Sequence, residues 1–290
     1  AEADLGVVTS ALSQQISRLE GELATRLLQR SASGVQPTEA GMAFLQQAQL
    51  TLRHADAAVR AAQAQRLSGH VSVGMAPTTA SVLGLPLIQA MRERYPEVRL
   101  HLVESLSGHL ATMLNARQLD LAVVFNADAG RRWSVMPLLH ERLFVLAATT
   151  LPGLPALPAR ARGVRLAQLA RLPLILPSEP HGLRSTLDAA FAAARVQAHV
   201  VAEIDSLGVL MDAVRAGLGA TIQPGAATTR LSGTEVVAIP VADPAARREN
   251  LLASLSDDEL SPAALAARVV VADVARSLAG SGRWPGATLG

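Results

Sequence analysis

The first chemically informative feature of the chain is a short amphipathic segment whose polar face could hydrogen bond to base edges. Leu12, Ile16 and Leu19 recur at helical spacing, which predicts a helix over Ser10–Glu20. Glutamine can bond to adenine through two atoms, and arginine can reach guanine or a phosphate. From the residues alone, an ordinary solvated helix face is the commoner explanation of such a pattern. The polar side chains of this face are Ser10, Ser13, Gln14, Ser17 and Arg18.

A second set of polar side chains stands later in the chain, where predicted strands end and helices begin. Ligands of open α/β sheets bind at the carboxyl ends of strands, and free amides at helix N-termini favour anions. The set therefore predicts a cleft for a small organic anion. Serine and threonine at helix starts are also common as simple caps, and His181 could equally be a surface residue. The candidate ligand-binding residues are Thr78, Thr79, Ser105, Ser107, Asn126, Ser178, His181, Arg184, Asp205 and Gln223.

The first part of the chain is predicted to be mostly helical. A polar loop at 31–34 and a short extended piece at 35–37 separate two helical regions. The earlier region begins with Ser10–Glu20 and is expected to continue as helix over 22–30. The later one is a single long helix over 39–66, with Thr38 as its N-cap.

From His70 onward, strands alternate with helices. This alternation predicts a mainly parallel, doubly wound sheet, and its repetition suggests two similar lobes. Two separate strands are expected at 135–141 and 144–148. The tail from Gly280 is expected to be frayed, because it contains glycines and a proline.

The long predicted helix carries a narrow apolar seam. Its 28 residues would span about 42 Å at 1.5 Å per residue, and a lone helix with a narrow seam requires a partner helix. We expect a twofold dimer through this seam; packing on the chain's own C-terminal part is the alternative. The seam residues are Phe44, Ala48, Leu52, Ala55, Val59 and Ala62.

Composition excludes several classes of protein. The chain has 290 residues, half of them hydrophobic, which suggests about two domains of roughly 100–200 residues each. It has no cysteine, which excludes disulfide scaffolds, thiolate metal sites and a cysteine nucleophile. The net charge is only +2, and aromatics make up 2%, which argues against a stacking platform for single-stranded nucleic acid. Without an apolar run of about 18 residues or a signal peptide, a soluble cytoplasmic protein is expected.

Motifs of catalysis are missing from the sequence. There is no Gly-x-Ser-x-Gly elbow, no phosphate loop and no His-Glu-x-x-His pair. The acidic run 257–259 is interpreted as a solvated loop, with cation binding as a weaker alternative. We therefore expect no enzyme activity, no cofactor and no metal site.

Residues 9–41 resemble the signature of the LysR-type transcriptional regulator family. The region from His70 is similar to the family's effector domain, which resembles type 2 periplasmic binding proteins. The resemblance implies an α/β chain with an N-terminal winged helix-turn-helix, a long linker helix and a two-lobed effector domain. The matching positions are Ser10-Ala11-Leu12-Ser13, Gln15-Ile16, Leu19-Glu20, Leu23, Leu27-Leu28, Arg30 and Thr38-Glu39-Ala40-Gly41.

The resemblance also implies partners and contact residues. Promoter DNA, a small effector between the lobes and self-association are expected, as dimers through 39–67 and as tetramers through effector domains. The family usually has glutamine where this chain has Thr9, and often glycine where Ala24 stands. Thr9 joins the polar face as a base-contact candidate. Phosphate-positioning contacts are expected from Arg30, Ser31, Ser33 and Thr38.

The implied domain organisation is a DNA-binding domain over 1–38, a linker helix over 39–67 and an effector domain over 68–290. Lobe I would comprise about 70–146 and 241–279, and lobe II about 147–240. The family's first helix is nearly missing, and we hypothesise that several residues are absent between Ala3 and Asp4.

A solute-binding protein without DNA-binding function is the rival reading. It would share the two α/β lobes, but it predicts a secretion signal and no long N-terminal helix. The chain shows the reverse pattern, so a DNA-binding regulator modulated by a small organic effector is the favoured prediction.

Overall fold

A computed structural model describes residues 9–31, 34–63, 67–125, 133–155, 163–179, 182–231 and 233–289. The chain divides into two compact units, Ala1–Val59 and Arg60–Gly290. Within the described ranges, no helix is both long enough and apolar enough to cross a bilayer. The hypothesis about missing residues after Ala3 falls outside the described residues. The expected domain boundaries stay predictions.

The N-terminal unit contains a helix, a two-stranded hairpin and the start of a long helix. The hairpin strands pair antiparallel, from Leu28 opposite Pro37 to Ser31 opposite Gly34. The elements are α1 (Thr9–Leu23), β1 (Leu28–Ser31), β2 (Gly34–Pro37) and α2 (Glu39–Gln63).

The prediction that helix continues through 22–30 is wrong. Helix α1 ends at Leu23, and Ala24 adopts a left-handed conformation with φ of 50°. The Glu20 carboxylate accepts hydrogen bonds from the backbone amides of Leu27 and Leu28, at 2.7 and 2.9 Å. The Glu20 side chain thus accepts hydrogen bonds from amides that follow the end of the helix, and the chain continues into β1.

The start of α2 is fixed by Thr38 and Gly41. The Gly41 amide donates to Thr38 Oγ1 at 2.9 Å, which confirms Thr38 as the N-cap. The Thr38 amide donates to the Leu27 carbonyl at 2.9 Å. A Cβ atom at Gly41 would overlap that same Leu27 carbonyl oxygen. Glycine therefore allows the backbone of α2 to approach the segment before β1 closely.

The C-terminal unit is built from two α/β lobes with separate apolar cores. Its longer elements begin and end close to the predicted positions. They are β3 (Gly69–Met75), α3 (Pro77–Arg94), β4 (Val98–Glu104), α4 (Ser107–Asn115), β5 (Leu121–Phe125), β6 (Ser134–Ala148), β7 (Leu174–Leu176), α5 (Gly182–Ala193), β8 (Val200–Glu203), α6 (Leu207–Arg215), β9 (Thr221–Pro224), β10 (Val236–Pro240), β11 (Arg247–Ser254), α7 (Pro262–Gly280) and β12 (Ala287–Thr288), with 3-10 turns at Leu166–Leu169, Gly225–Arg230 and Asp257–Glu259.

The expectation of a mainly parallel sheet is wrong, because the connecting strands run antiparallel. Strand β3 pairs parallel with β4 and β5, and β7 pairs parallel with β8. Strand β11 is antiparallel to both β5 and β6, and β6 is antiparallel to β9 and β10. The two strands expected at 135–141 and 144–148 form the single strand β6. This strand passes from lobe I into lobe II.

The expectation of a frayed tail is also wrong. The Trp284 side chain is 1% exposed, and its indole N–H donates to Glu141 Oε1 at 2.7 Å. Strand β12 continues the pairing, with Ala287 opposite Glu141. Burial of a large aromatic side chain and a strand pair therefore fix a segment that its glycine content suggested would be loose.

Candidate functional site

The polar face of α1 is open in the N-terminal unit. Gln14, Ser17 and Arg18 are exposed and Ser13 is half-buried. Arg18 Nε lies 3.0 Å from Glu22 Oε1, and both side chains are mostly exposed. Such a surface pair contributes little stability, so Arg18 can exchange Glu22 for another anion. Thr9 and Ser10 belong to α1, but their side chains lie outside the described part.

The candidate phosphate contacts are only partly described. Arg30 and Ser31 form the end of β1, with side chains outside the described part, and Ser33 lies outside it altogether. The Thr38 hydroxyl donates to the Arg26 carbonyl at 2.8 Å. Because its only proton is used within the protein, Thr38 is committed to capping and is not placed to donate to a phosphate. This corrects the expectation for Thr38.

The seam of α2 is accessible where its side chains are described. Phe44 and Ala48 are half-buried, Ala55 is exposed, and Leu52 is 67% exposed. The side chains of Val59 and Ala62 lie outside the described part. The described seam therefore presents an apolar face, which is the feature that pairing with a second helix requires.

A cleft lies between the two lobes of the C-terminal unit, at the carboxyl ends of the strands. Its inner part has a free volume of about 20 Å³, roughly the space of one water molecule, and its outer part has about 320 Å³; the two share Pro77, Asp205 and Leu207. The remaining inner lining is Ala76, Thr78, Pro177, Leu183, Ile204, Leu210 and Gln223. The remaining outer lining is Glu104, Ser105, Leu106, Ser206 and Gly208.

The cleft brings together four of the ten candidate ligand-binding residues. Thr78 and Gln223 line its inner part, Ser105 lines its outer part, and Asp205 lines both. The inner part is mostly apolar, with polar groups at a few points, which is typical of small-molecule sites.

Two further candidates support the cleft from its edge. The Gly182 amide, at the start of α5, donates to Ser107 Oγ at 3.0 Å, which joins lobe II to lobe I. A Cβ atom at Gly182 would lie 2.8 Å from Ser107 Oγ, so a larger residue here would displace the serine hydroxyl. Ser178 Oγ and its backbone amide both donate to Asp205 Oδ1, at 2.9 Å. These contacts hold the lobes and loops that surround the cleft.

Arg184 does not face the cleft as expected. Its guanidinium donates to Glu203 Oε1 at 2.6 Å, to Asp188 Oδ1 at 3.0 Å and to the Pro177 carbonyl at 3.1 Å. The pKa of Arg184 is raised, first by the hydrogen bond to Glu203 and, despite partial burial, also by Asp188. Two carboxylates already neutralise this cation, so it supports lobe II and is not available to a ligand.

Thr79 is a second correction. Its side chain is fully buried, and its Oγ1 has no hydrogen-bond partner among the described residues. It lies in the first turn of α3 and lines neither part of the cleft. Asn126 and His181 lie outside the described residues.

Sequence reasoning missed a buried ion pair beneath the cleft. Arg248 on β11 and Glu141 on β6 are directly paired and have no exposed side-chain surface. Asn250 Nδ2 donates to Glu141 Oε2 at 2.8 Å, and the Arg248 guanidinium lies 3.9 Å from the centre of the Phe125 ring. The sequence carries little signal for this pair, because Glu141 is flanked by His140 and Arg142, and Arg248 by Arg247 and Glu249.

Metal ligation finds no support in the described part of the chain, where no group of three or more histidine, aspartate or glutamate side chains is placed to hold an ion. The acidic run 257–259 is instead tied to arginines. Asp257 pairs with Arg268, and Glu259 Oε1 lies 2.6 Å from Arg117 Nη2.

Comparison with known proteins gives two family matches that together cover most of the chain. Residues 1–42 match the bacterial regulatory helix-turn-helix protein, lysR family, and residues 64–276 match the LysR substrate binding domain. The nitrogen assimilation regulatory protein nac of Escherichia coli K12 is 37% identical over 232 residues, covering 79% of this chain and 73% of the relative.

Solved structures share the fold. A full-length OxyR variant from Pseudomonas aeruginosa superposes with a TM-score of 0.73 at 24% identity, covering 95% of this chain and 90% of that one. The effector binding domain of QuiR in complex with shikimate gives 0.64 at 20% identity, covering 73% and 99%.

The match over residues 1–42 answers the solute-binding alternative, because it supplies the DNA-binding part that such a protein would lack. The Escherichia coli relative is itself a regulatory protein. An N-terminal helix with an open polar face is thus joined, in one chain, to a ligand cleft between two α/β lobes. The chain belongs to the LysR family of DNA-binding transcriptional regulators with an effector-binding domain.

Proposed function

We propose that α1 reads promoter DNA through Ser13, Gln14 and Ser17, with Arg18 on a guanine or a phosphate. The observation that carries this proposal is the open polar face. Among the described residues, Ser13, Gln14 and Ser17 make no side-chain hydrogen bonds, so their donors and acceptors are available to base edges. We also propose base contacts from Thr9 and Ser10, and contacts to the DNA phosphates from Arg30, Ser31 and Ser33.

The DNA-binding form is a twofold dimer through residues 39–67, with tetramers formed by pairing of effector domains. Two recognition helices in such a dimer would meet half-sites one helical turn apart, about 34–36 Å. The exposed Leu52 supports the dimer, because a second helix packed on this seam would bury its apolar side chain. A protein that reads the chromosome acts in the cytoplasm, which is the location we propose.

The effector is a small organic molecule bound at Thr78, Ser105, Asp205 and Gln223. The outer part of the cleft, with a free volume of about 320 Å³, is at the small end of known ligand sites, and the inner part, with about 20 Å³, admits a single small group. Helix α3 has no side-chain cap, so the first-turn amide of Thr78 is placed to receive an anionic group. The related QuiR domain binds shikimate, a hydroxylated carboxylic acid, and we propose an organic acid of comparable size. A thiol-based response is not open to these 290 residues, which contain no cysteine.

DNA reading is tested by fluorescence anisotropy of the full chain on duplexes selected from a randomised pool. The Gln14→Ala variant should lose discrimination at one base position by about 1–3 kcal/mol, the value of a bidentate contact. Gln118→Ala, at an exposed position of the C-terminal unit, is the matched control and should bind as the parent does.

Charge and sequence contacts can be separated in the same assay. Arg18→Ala should lower the salt dependence of binding by about one unit if Arg18 contacts a phosphate. Failure of the full chain to enrich any duplex, or equal losses for Gln14→Ala and Gln118→Ala, would contradict the assignment of α1.

A further inference from the structure

The buried Arg248 lies directly behind Thr78, the residue at the inner end of the cleft. Arg248 Nη1 and Nη2 both lie 3.3 Å from Thr78 Oγ1. A guanidinium has only donors, so in this contact the threonine oxygen is the acceptor. The hydroxyl has a single proton, and that proton cannot be directed at Arg248.

The Thr78 proton has no acceptor within the described part of the protein. No described residue accepts a hydrogen bond from Thr78 Oγ1, although the side chain is only 6% exposed and lines the inner cavity. Because the Thr78 oxygen faces the Arg248 guanidinium, the hydroxyl proton points away from Arg248 and into the inner cavity. A ligand atom next to this proton forms a hydrogen bond with Thr78 only when that atom is an acceptor.

Arg248 is itself held firmly in place. Its Nε donates to Glu141 Oε2 at 3.1 Å, and Glu141 also accepts from Asn250 Nδ2 and from the Trp284 indole. The Phe125 ring covers one face of the guanidinium at 3.9 Å. With its charge neutralised by Glu141, Arg248 acts on the cleft through the orientation of Thr78 and not as a free cation.

We propose that Arg248, anchored by Glu141 and Trp284, is a positioning residue that fixes Thr78 as a hydrogen-bond donor and thereby selects effectors with an oxygen acceptor at the inner end of the cleft. Carboxylates, carbonyls and ethers meet this requirement. Ammonium groups, which only donate, do not. The proposal deepens the effector assignment and rests on it, because it specifies which ligand group meets Thr78.

The orientation is tested without any ligand, by neutron diffraction from crystals of the deuterated full chain. The deuterium on Thr78 Oγ1 should point into the inner cavity, away from Arg248. A deuterium donated to a protein acceptor would overturn the proposal. This result is independent of DNA binding, so a failure here is distinguishable from a failure of the regulator assignment.

Selection is tested with two probes of one skeleton, cyclohexanecarboxylate and cyclohexylmethylammonium, whose affinities are measured by calorimetry. The wild type should bind the carboxylate and discriminate against the ammonium. Thr78→Val should reduce carboxylate affinity about three- to tenfold, the effect of one hydrogen bond, and Thr78→Ser should restore it. Wild-type preference for the ammonium, or no carboxylate binding at millimolar concentration, would overturn the proposal.

The role of Arg248 is separated from folding by two variants. Arg248→Lys keeps the charge beside Glu141 but cannot hold the threonine oxygen with two donors. It should fold and lose part of the carboxylate preference. Glu97→Ala, at an exposed surface position, should leave the preference unchanged. Full preference in a folded Arg248→Lys protein would assign Arg248 a structural role only and contradict the positioning role.

Discussion

Helix α1, which we propose reads DNA, and the cleft, which we propose binds the effector, use polar side chains in opposite ways. On α1, Gln14 and Ser17 are exposed and make no side-chain hydrogen bonds to other described residues. Around the cleft, Ser107 bonds to Gly182 and Ser178 to Asp205, while Arg248 holds Thr78 from behind. DNA supplies many partners to an open face. A small ligand supplies few hydrogen-bond partners, so most polar side chains around the cleft are already bonded to other protein groups.

The supports of the two regions differ as well. The N-terminal unit is held by a close backbone approach at Gly41 and by the Glu20 carboxylate on two amides. The floor of the cleft depends on the buried pair of Glu141 and Arg248, to which Asn250, Trp284 and Thr78 are also hydrogen bonded. The exposed polar face of α1 is thus supported by contacts to the backbone, whereas the cleft is supported by a buried polar network.

The largest effect is expected where that network is broken. Glu141→Ala removes the counter-charge of Arg248 and the acceptor of both Asn250 and Trp284. Loss of one partner of a buried pair costs about 3–5 kcal/mol. Urea unfolding followed by circular dichroism should show this loss, whereas Glu97→Ala should change stability by about 0.5 kcal/mol or less. A loss below about 1 kcal/mol for Glu141→Ala would show that the pair is dispensable.

A smaller effect is expected from filling the close approach in the N-terminal unit. Gly41→Ala places a methyl group against the Leu27 carbonyl, and such overpacking typically costs about 1–3 kcal/mol. Gly21→Ala is the matched control, because Gly21 lies in α1 and has nothing within 4 Å of an added Cβ. It should stabilise the unit by up to about 1 kcal/mol.

The two glycine variants can be compared by thermal unfolding and by DNA affinity. Gly41→Ala should weaken DNA binding through displacement of the hairpin from α2. Equal stability of the Gly41→Ala and Gly21→Ala proteins would argue that the unit does not depend on this contact.

The smallest effect concerns the half-buried pair of Glu259 with Arg117. Burial alone would raise the pKa of Glu259, but hydrogen bonds from Arg117 and Ser256 outweigh it and lower the pKa below its ordinary value of 4.5. The pair therefore stabilises the fold fully above about pH 4.5 and less as the pH falls through the lowered value.

Thermal unfolding of the wild type and Glu259→Gln between about pH 6 and about pH 3 measures this contribution. The wild type should be more stable at the upper end by about 1 kcal/mol or less, and the difference should shrink toward the acidic end. A difference that grows on acidification would have the wrong sign for a carboxylate with a lowered pKa.

The order of elements could be predicted from the sequence, because apolar periodicity and turn residues are local signals. The long helix, its Thr38 cap and most strands and helices after His70 are confirmed by the structure. The helix end at Leu23 could not be predicted in this way. It depends on a contact between Glu20 and amides seven and eight residues later, which has no local signature.

The candidate site was predictable in position but not in bonding. Strand ends placed Thr78, Ser105, Asp205 and Gln223 at one cleft, as the topology of open sheets requires. Whether a polar side chain there is open or occupied depends on distant partners. Arg184 is neutralised by Glu203, and Arg248 reaches Thr78 from a strand 170 residues away in sequence. Such pairs arise only once the chain is folded.

The continuity of β6 has a consequence for the independence of the lobes. This continuous 15-residue strand pairs with β11 in lobe I, with one register shift between Asn250 and Leu251, and with β9 and β10 in lobe II. Removing β6 would therefore remove hydrogen-bonded strand neighbours from both lobes. Neither half is therefore an autonomous module that can be excised or exchanged between relatives by itself, and heat should melt the pair in a single cooperative transition.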